Sequence, residues 1–496
     1  MKGLRVKLFM LIFLLSTAGL GQGAPVVMEG TTQGLSSFIS VDAGQDTIVA
    51  AGMSNGTGIG DLDIVLLALS AKGKVLWEKA YGGVSTDLVS TVELLPDGSV
   101  LVAGGSASFN GGWIFQVDAS GNVVWSRAYS AGMISSVIPY GAGILALSSA
   151  YGKPLLLKLT SKGLVEHAYL VNTSLRVVPV TMKVLPGHGT YIAGIAQSNV
   201  TSSPDFWLAK VGENGELIWE RTYGFEGMDR LYDLEVDGKG TTLVGYTTFF
   251  NNETNVNLLV VRTDLDGKLL WARVVGGPRE DWANAVSPLP SGGFALGGTT
   301  YSAPNPQAWL LFMSKDGAVE ESFLLGSEGI DWIRALKVLP SGEIVFAGGL
   351  NGTSLGAESL TASRFFLGIF REGASFTGCH LPVQRLDFPV ENASPVTWVN
   401  FGGKAIPVSV STQNVVPEVK TITGGLKALC PLENPDTTGT TTITSCTTGT
   451  TTTKTTTITT TATAATTSKN DGRKLCGPGF LVALSLSALL FLRRNR

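Results

Sequence analysis

The sequence predicts an all-β chain folded as a seven-bladed β-propeller of four-stranded blades, and three observations predict it. A phrase of about fifty residues returns seven times between Gly34 and His380. A fixed period in this range signals a solenoid or a propeller. The phrase is written in short β-branched runs broken by Asp-Gly, Asn-Gly and Ser-Gly pairs, the residues that enter positive φ most cheaply in hairpin turns. Outside the two chain ends no helical period is sustained for as many as ten residues.

The second copy shows how one unit is built. Leu88–Leu94 alternates in polarity and reads as an inner strand, and Pro96, Asp97 and Gly98 turn the chain into the apolar run Ser99–Gly105. A loop precedes the strand Trp113–Asp118, and Ser120, Gly121 and Asn122 turn it into a fourth strand ending in Trp125. That fourth strand is the clearest marker: Gly73–Trp77, Gly121–Trp125, Gly215–Trp219 and Gly267–Trp271 match, with degenerate copies at Gly163–His167, Gly317–Glu321 and Gly373–Thr377. The same place in every blade is what packing between blades demands of a Trp. A ring must also close, because an open edge invites aggregation. Pro25–Glu29 precedes the first inner strand in the slot of a fourth strand, and is expected to complete the last blade.

Composition sets the compartment. The 496 residues carry a net charge of −3 without a basic patch, which excludes a nucleic-acid partner. Lys2, Arg5 and Lys7 precede the apolar run Leu8–Leu15 and small residues through Ala24, the form of a secretory signal over 1–24. The propeller is then expected over 25–382. In an exported chain the sequons at Asn55, Asn172, Asn199, Asn252, Asn351 and Asn392 suggest glycan-bearing loops. Cys379 and Cys430 bracket a β-rich extension over 383–431, and an oxidising compartment favours their pairing. The position of that extension on the propeller is left open by its sequence.

Twenty-one of the thirty-one residues from Thr437 to Thr467 are Thr. Such a segment buries too little to offset its ordering entropy, and 432–475 reads as a disordered, O-glycosylated stalk. Cys476, Gly477, Pro478 and Gly479 then lead into the short apolar run Phe480–Leu492, expected to be helical, and the basic end Arg493–Arg496. Too short for a standard span, this tail over 476–496 reads as an anchor or processed sorting signal. The order of parts resembles the CGP-CTERM sorting domain of archaeal surface proteins, found chiefly in hyperthermophiles. The resemblance implies a protein held on the outer face of the cell, with Cys476 the site of lipid attachment or processing. The repeats, in turn, resemble archaeal and bacterial propeller repeats of the pattern W-x-K-x-Y-G-G, here Trp77, Lys79, Tyr81, Gly82 and Gly83, followed by Asp87, Asp97-Gly98 and Ala103-Gly104. They are also similar to quinoprotein-like propeller repeats.

Chemistry is sparse. Gly52, Ser54 and Gly56 fit a nucleophile elbow by letter, but an elbow needs a strand-to-helix turn and none follows. The three histidines, His167, His188 and His380, share no metal-ligand spacing, so no metal is expected. Asp264, Asp266 and Gly267 open like a calcium loop yet lack its later carboxylates. No phosphate loop or dinucleotide fingerprint is found, and no cofactor is predicted. What remains lies on the connections between blades. Asp87, Asp229, Asp281 and Asp331 recur just before inner strands, joined in the later blades by Trp282, Trp332, Arg230, Arg279 and Arg334. These connections meet on one face around the channel, where propellers commonly bind ligands. Two readings stand: the Asp residues brace turns while the rings pack, or the group forms a rim site for a sugar or peptide.

The function expected is a non-catalytic binding module for a glycan, a peptide or a neighbouring surface protein, attached to the membrane through its C-terminal anchor. The alternatives are an extracellular enzyme, quinoprotein-like or acting on polysaccharide, and a purely structural component of the surface layer.

Overall fold

Each repeat becomes one antiparallel sheet in which strand order follows chain order. The computed structural model describes residues 25–30, 36–197, 203–250, 255–326, 329–352, 364–372, 383–385, 390–393, 396–403, 406–421 and 426–430. The inner strands of blades 1 to 7 are Ser36–Ala43, Asp87–Leu94, Ser136–Tyr140, Val177–Leu185, Asp229–Asp237, Asp281–Pro288 and Ile330–Val338. The signal segment, the stalk, the sorting segment with Cys476, and Asn199, Asn252 and Cys379 lie outside the described residues. Asn55 and Asn172 are exposed, as glycan acceptors need to be. Asn351, Asn392 and Cys430 fall on the strands Glu343–Gly352, Val390–Ala393 and Leu426–Cys430.

The ring closes as the sequence predicts. Val26–Gly30 pairs antiparallel with Arg364–Arg371 and supplies the fourth strand of blade 7. Glu29, almost wholly buried, meets Arg364 at 3.4 Å across this joint. Among the described residues the buried apolar side chains gather in seven clusters, and each cluster joins one pair of adjacent blades. The core of the molecule is thus a set of seams. Phe38 of blade 1 stacked on Phe365 of blade 7, with centroids 4.3 Å apart, belongs to the closing one.

The repeated Trp and Tyr residues fasten these seams. Trp77 donates its indole N–H to the Ala119 carbonyl at 2.8 Å, in the hairpin turn of the next blade. Four residues on, Tyr81 donates its hydroxyl to the Gly121 carbonyl of the same turn at 2.7 Å. Tyr129 treats Gly163 in the same way, also at 2.7 Å, and Tyr223 donates to the Gly267 carbonyl at 2.5 Å. Trp271 reaches the Lys315 carbonyl at 3.1 Å. Gly121 serves twice: its φ is +76°, and a Cβ there would lie 2.9 Å from the Trp77 ring. Repetition here is the signature of a joint.

The extension after blade 7 forms no module of its own. It runs once around the propeller and adds a fifth strand to every blade, in descending order. Val383–Arg385 pairs with blade 6, Val390–Ala393 with blade 5, Val396–Gly403 with blade 4 and Ile406–Pro407 with blade 3. Thr412–Asn414 then takes blade 2, Glu418–Thr421 blade 1, and Leu426–Cys430 the closing strand of blade 7. Beyond its strand pairing the belt is pinned by Lys420 Nζ on the Thr57 carbonyl at 2.8 Å and by the exchange of backbone and side-chain hydrogen bonds between Ser411 and Ser130. A fourth strand left bare would offer unpaired N–H and C=O groups to any other chain. The belt pairs one such edge on every blade.

Candidate functional site at the mouth of the channel

Inner strands face the channel, and six of the seven carry a one-residue bulge near the start. The register shifts between Phe38 and Ser40, Val89 and Thr91, Pro179 and Thr181, Leu231 and Asp233, Ala283 and Ala285, and Ile333 and Ala335. Blade 3, with the inner strand Ser136–Tyr140, pairs without a shift. A bulge leaves its extra residue out of the ladder and re-aims the side chain. The bulged residues are Ile39, Ser90 and Val180 on blades 1, 2 and 4, and Tyr232, Asn284 and Arg334 on blades 5, 6 and 7. One arc of the mouth is therefore apolar or small, and the other polar.

On the polar arc the residues touch across blades. Arg334 donates to Asn284 Oδ1 at 2.8 Å, and Asn284 is itself fixed by donating to the Ile333 carbonyl at 2.8 Å. The Arg334 guanidinium lies 5.3 Å from the centre of the Tyr232 ring, two blades away. Arg230 lies 5.6 Å from the same ring, and Tyr246 packs against it at 5.9 Å. Burial pulls the Arg334 pKa below its ordinary value, and the like charge of Arg230 pulls the same way. Burial also pushes the Tyr232 hydroxyl up to about 12. Among the described residues, no carboxylate stands within 4.0 Å of either guanidinium.

Deeper along the inner strands lies a second, mixed tier. Lys183 meets Glu235 at 3.2 Å and Lys337 meets Asp42 at 3.1 Å. Glu93 faces both pairs; burial, then Asp42, raises its carboxyl to about 7 against the pull of Lys183 and Lys337. Burial pushes Asp233 up to about 6 even beside Lys183. Burial works against the charge of Lys183, but Glu235, Asp233 and Glu93 outweigh it and hold the pKa above its usual value.

The four recurring Asp residues lie elsewhere, fully buried at the very start of their inner strands, against the turns that join blades. Asp87 accepts the Gly83 N–H at 2.7 Å, the Ser108 hydroxyl at 3.0 Å and the Ser106 hydroxyl. Asp281 repeats the pattern with Gly277 at 2.7 Å, Ser302 at 2.9 Å and Thr300, and Asp229 accepts the Phe225 N–H at 2.6 Å. A second polar residue flanks each: a Cβ on Gly82 would lie 2.3 Å from Asp63 Oδ1 and 2.9 Å from Asp87 Oδ2. The tight Tyr-Gly-Gly-x-x-x-Asp run is thus a braced turn. Burial pushes Asp229 up to about 7, with Asp205 adding to the shift.

Of the other rim residues, Trp332 donates to Ser37 Oγ at 3.1 Å and belongs to the seam between blades 7 and 1. Trp282 is half-buried and stacks on Tyr301 at 5.7 Å. Arg279 is exposed on its loop, with its backbone N–H on Ser302 Oγ at 3.1 Å. The structure therefore brings Arg230 and Arg334 together and adds Tyr232, Tyr246 and Asn284, which the sequence reading did not single out. Ser54 is buried, 3.0 Å from Ser36 Oγ, and no helix follows it. Among the described residues no three His, Cys, Asp or Glu side chains gather as a metal site.

No family model matches this chain. No curated protein matches it either. Several solved structures align with it at low similarity. A putative 6-phosphogluconolactonase from Bacteroides uniformis is similar at 13% identity and a TM-score of 0.42, over 60% of this chain and 95% of that one. The C-terminal WD40 domain of Sif2 aligns at 10% identity and 0.37, over 68% and 97%. The Pyrococcus horikoshii acylaminoacyl peptidase aligns at 11% and 0.38, over 69% of this chain and 53% of its own. Likeness at this level carries no activity across.

Proposed function

We propose that this chain is a binding module displayed outside the cell, with its ligand face at the channel mouth formed by blades 5 to 7. The observation that carries the reading is the departure from the repeat at the bulge positions. Tyr232, Asn284 and Arg334 stand where the opposite arc has Ile39, Ser90 and Val180, while the residue three positions upstream stays Asp in blades 2, 5, 6 and 7. Function is grafted on a shared fold by such departures. The polar arc offers two guanidinium groups and aromatic surface, which suits recognition of a glycan, a peptide or a neighbouring surface protein. Export by the segment 1–24, elevation on the Thr-rich stalk, and anchoring through Cys476 in the manner of an archaeal surface protein complete the proposal. The Cys379–Cys430 pairing and the glycans belong to it as well.

The test is binding of the full-length chain to arrays of surface glycans and peptides, with Trp282→Ala and Tyr232→Ala beside it. Saturable binding that the Tyr232 variant loses supports the module. Turnover of a bound polysaccharide would replace it with a hydrolase. No binding to any surface component would turn the reading to a structural role.

A further inference from the structure

We infer that the two arginines at the channel mouth form an anion site, and that the group it takes is the carboxylate of an acidic sugar. The inference rests on the reading of blades 5 to 7 as the binding face and names the ligand class for it. Arg230 and Arg334 approach one tyrosine ring, at 5.6 and 5.3 Å from its centre. Two like charges so placed repel each other, yet among the described residues neither has a carboxylate within ion-pair distance. Elsewhere in the channel the chain pairs its cations: Lys183 with Glu235 and Lys337 with Asp42. The cations without an ion-pair partner are thus those of the tier nearer the mouth, where Asp233 acts on Arg334 only from a longer range.

The geometry favours a planar anion. Asn284 occupies one edge of the Arg334 guanidinium through Nη1 at 2.8 Å and holds the fork in place. The rest of the fork remains, and a guanidinium meets a carboxylate through two parallel N–H···O bonds. Arg230 adds a second positive group from the inner strand of blade 5, on the far side of blade 6. An acidic sugar is favoured over an acidic peptide because an aromatic surface stands on the same arc. Trp282 is half-exposed and already stacked on Tyr301, with the two planes 30° apart, and a flat indole suits the apolar face of a sugar ring. At the mouth of a channel between low-dielectric walls, two unpaired charges also concentrate anions from solution.

The experiment is a titration of the full-length chain, followed by tryptophan fluorescence, with a galacturonate oligomer, its methyl ester and sodium sulfate. The acid form is expected to bind at least about tenfold more tightly than the ester, since a charge-assisted hydrogen bond contributes about 1.5–3 kcal/mol. Its affinity should fall as salt rises, and sulfate should compete. Arg230→Gln and Arg334→Gln should each weaken the acid form about tenfold or more, whereas Lys239→Gln, on an exposed turn at the far end of the same strand, should leave it unchanged. Equal binding of acid and ester by the unaltered chain would overturn the anion site. It would leave the binding module in place. Acid binding that survives loss of both arginines would overturn the site also, and no binding of either sugar or of sulfate would do the same. The acid–ester comparison needs no variant, so a misfolded mutant cannot blur the result.

Discussion

The outer edge and the channel mouth of this propeller are built from the same repeat and treat it in opposite ways. At the edge and seams the blades solve one problem alike: in blades 1, 2, 4 and 5 a Trp or Tyr on the fourth strand grips the next hairpin, and the belt adds a fifth strand to all seven. At the mouth the blades diverge, residue by residue, at one bulged position. Sameness is what a closed ring demands of its joints. Divergence has no such structural reason, and it falls on one contiguous arc. The difference teaches that in a repeat protein the place to look for recognition is where the period fails while the geometry persists.

The comparison breaks most visibly at the belt. A chain ending after Pro382 keeps all seven four-stranded blades but bares their outer strands; one ending after Leu432 keeps the belt. Each backbone hydrogen bond lost contributes about 0.5–1.5 kcal/mol net. The shorter chain should therefore melt well below the longer one, by about 10 °C or more, and self-associate through its edges. Calorimetry and sedimentation of the pair check this. Equal midpoints and a monomeric short chain would make the belt a passive passenger.

The next test separates seam from mouth by single rings. Trp219 is 4% exposed and packed in the seam between blades 4 and 5. Its replacement by Ala should cost about 3–5 kcal/mol, the usual toll of emptying a core Trp. Tyr223→Phe in the same seam removes only the hydroxyl bonded to Gly267 and should cost about 1 kcal/mol. Trp282→Ala, half-exposed at the mouth, should cost about 1 kcal/mol or less and act on binding instead. Denaturant melts of the three variants rank them. A Trp282 variant as unstable as the Trp219 variant would turn that ring into a structural one.

How much of this was legible follows from the same division. The blades, the closing strand at Val26–Gly30 and the packing role of the repeated Trp residues could be read because each repeats at a fixed spacing. The recurring Asp residues could be located, and their repetition favoured a brace while leaving a rim site open; the buried contacts of Asp87 and Asp281 reveal the brace. The belt strands are short, down to the two residues Ile406–Pro407, and carry no period. Their pairing is set by what lies beside them in space. Tyr232 and Asn284 were missed because a bulge breaks the alternation by which an inner strand is read. A signal was present all the same: the third residue after each recurring Asp is Ser90, Tyr232, Asn284 and Arg334, a changing position beside an unchanging one.

The smallest expected effect concerns the deeper tier of the channel, where charge is balanced inside the protein instead of being left for a ligand. Burial raises the Glu93 carboxyl to about 7, from its ordinary 4.5. Between those values the native state binds a proton that the unfolded chain has released. Stability from this group is therefore full below about pH 4.5 and is lost as pH rises through about 7. Glu93→Gln cannot ionise, so it should match the unaltered chain at pH 4.5 and exceed it at pH 8. The gain should be on the order of 1–2 kcal/mol, below the full linkage value because Glu93 keeps some contact with solvent and sits near Lys183 and Lys337. Thermal melts of both chains from pH 4.5 to 8.5 measure the difference. Asp229, raised by burial to about 7 in the seam, bends both profiles in the same direction and cancels between them. A variant that instead loses stability at pH 8 would show that Glu93 stays ionised there and helps hold the two lysines, making the deeper tier a closed ion-pair network.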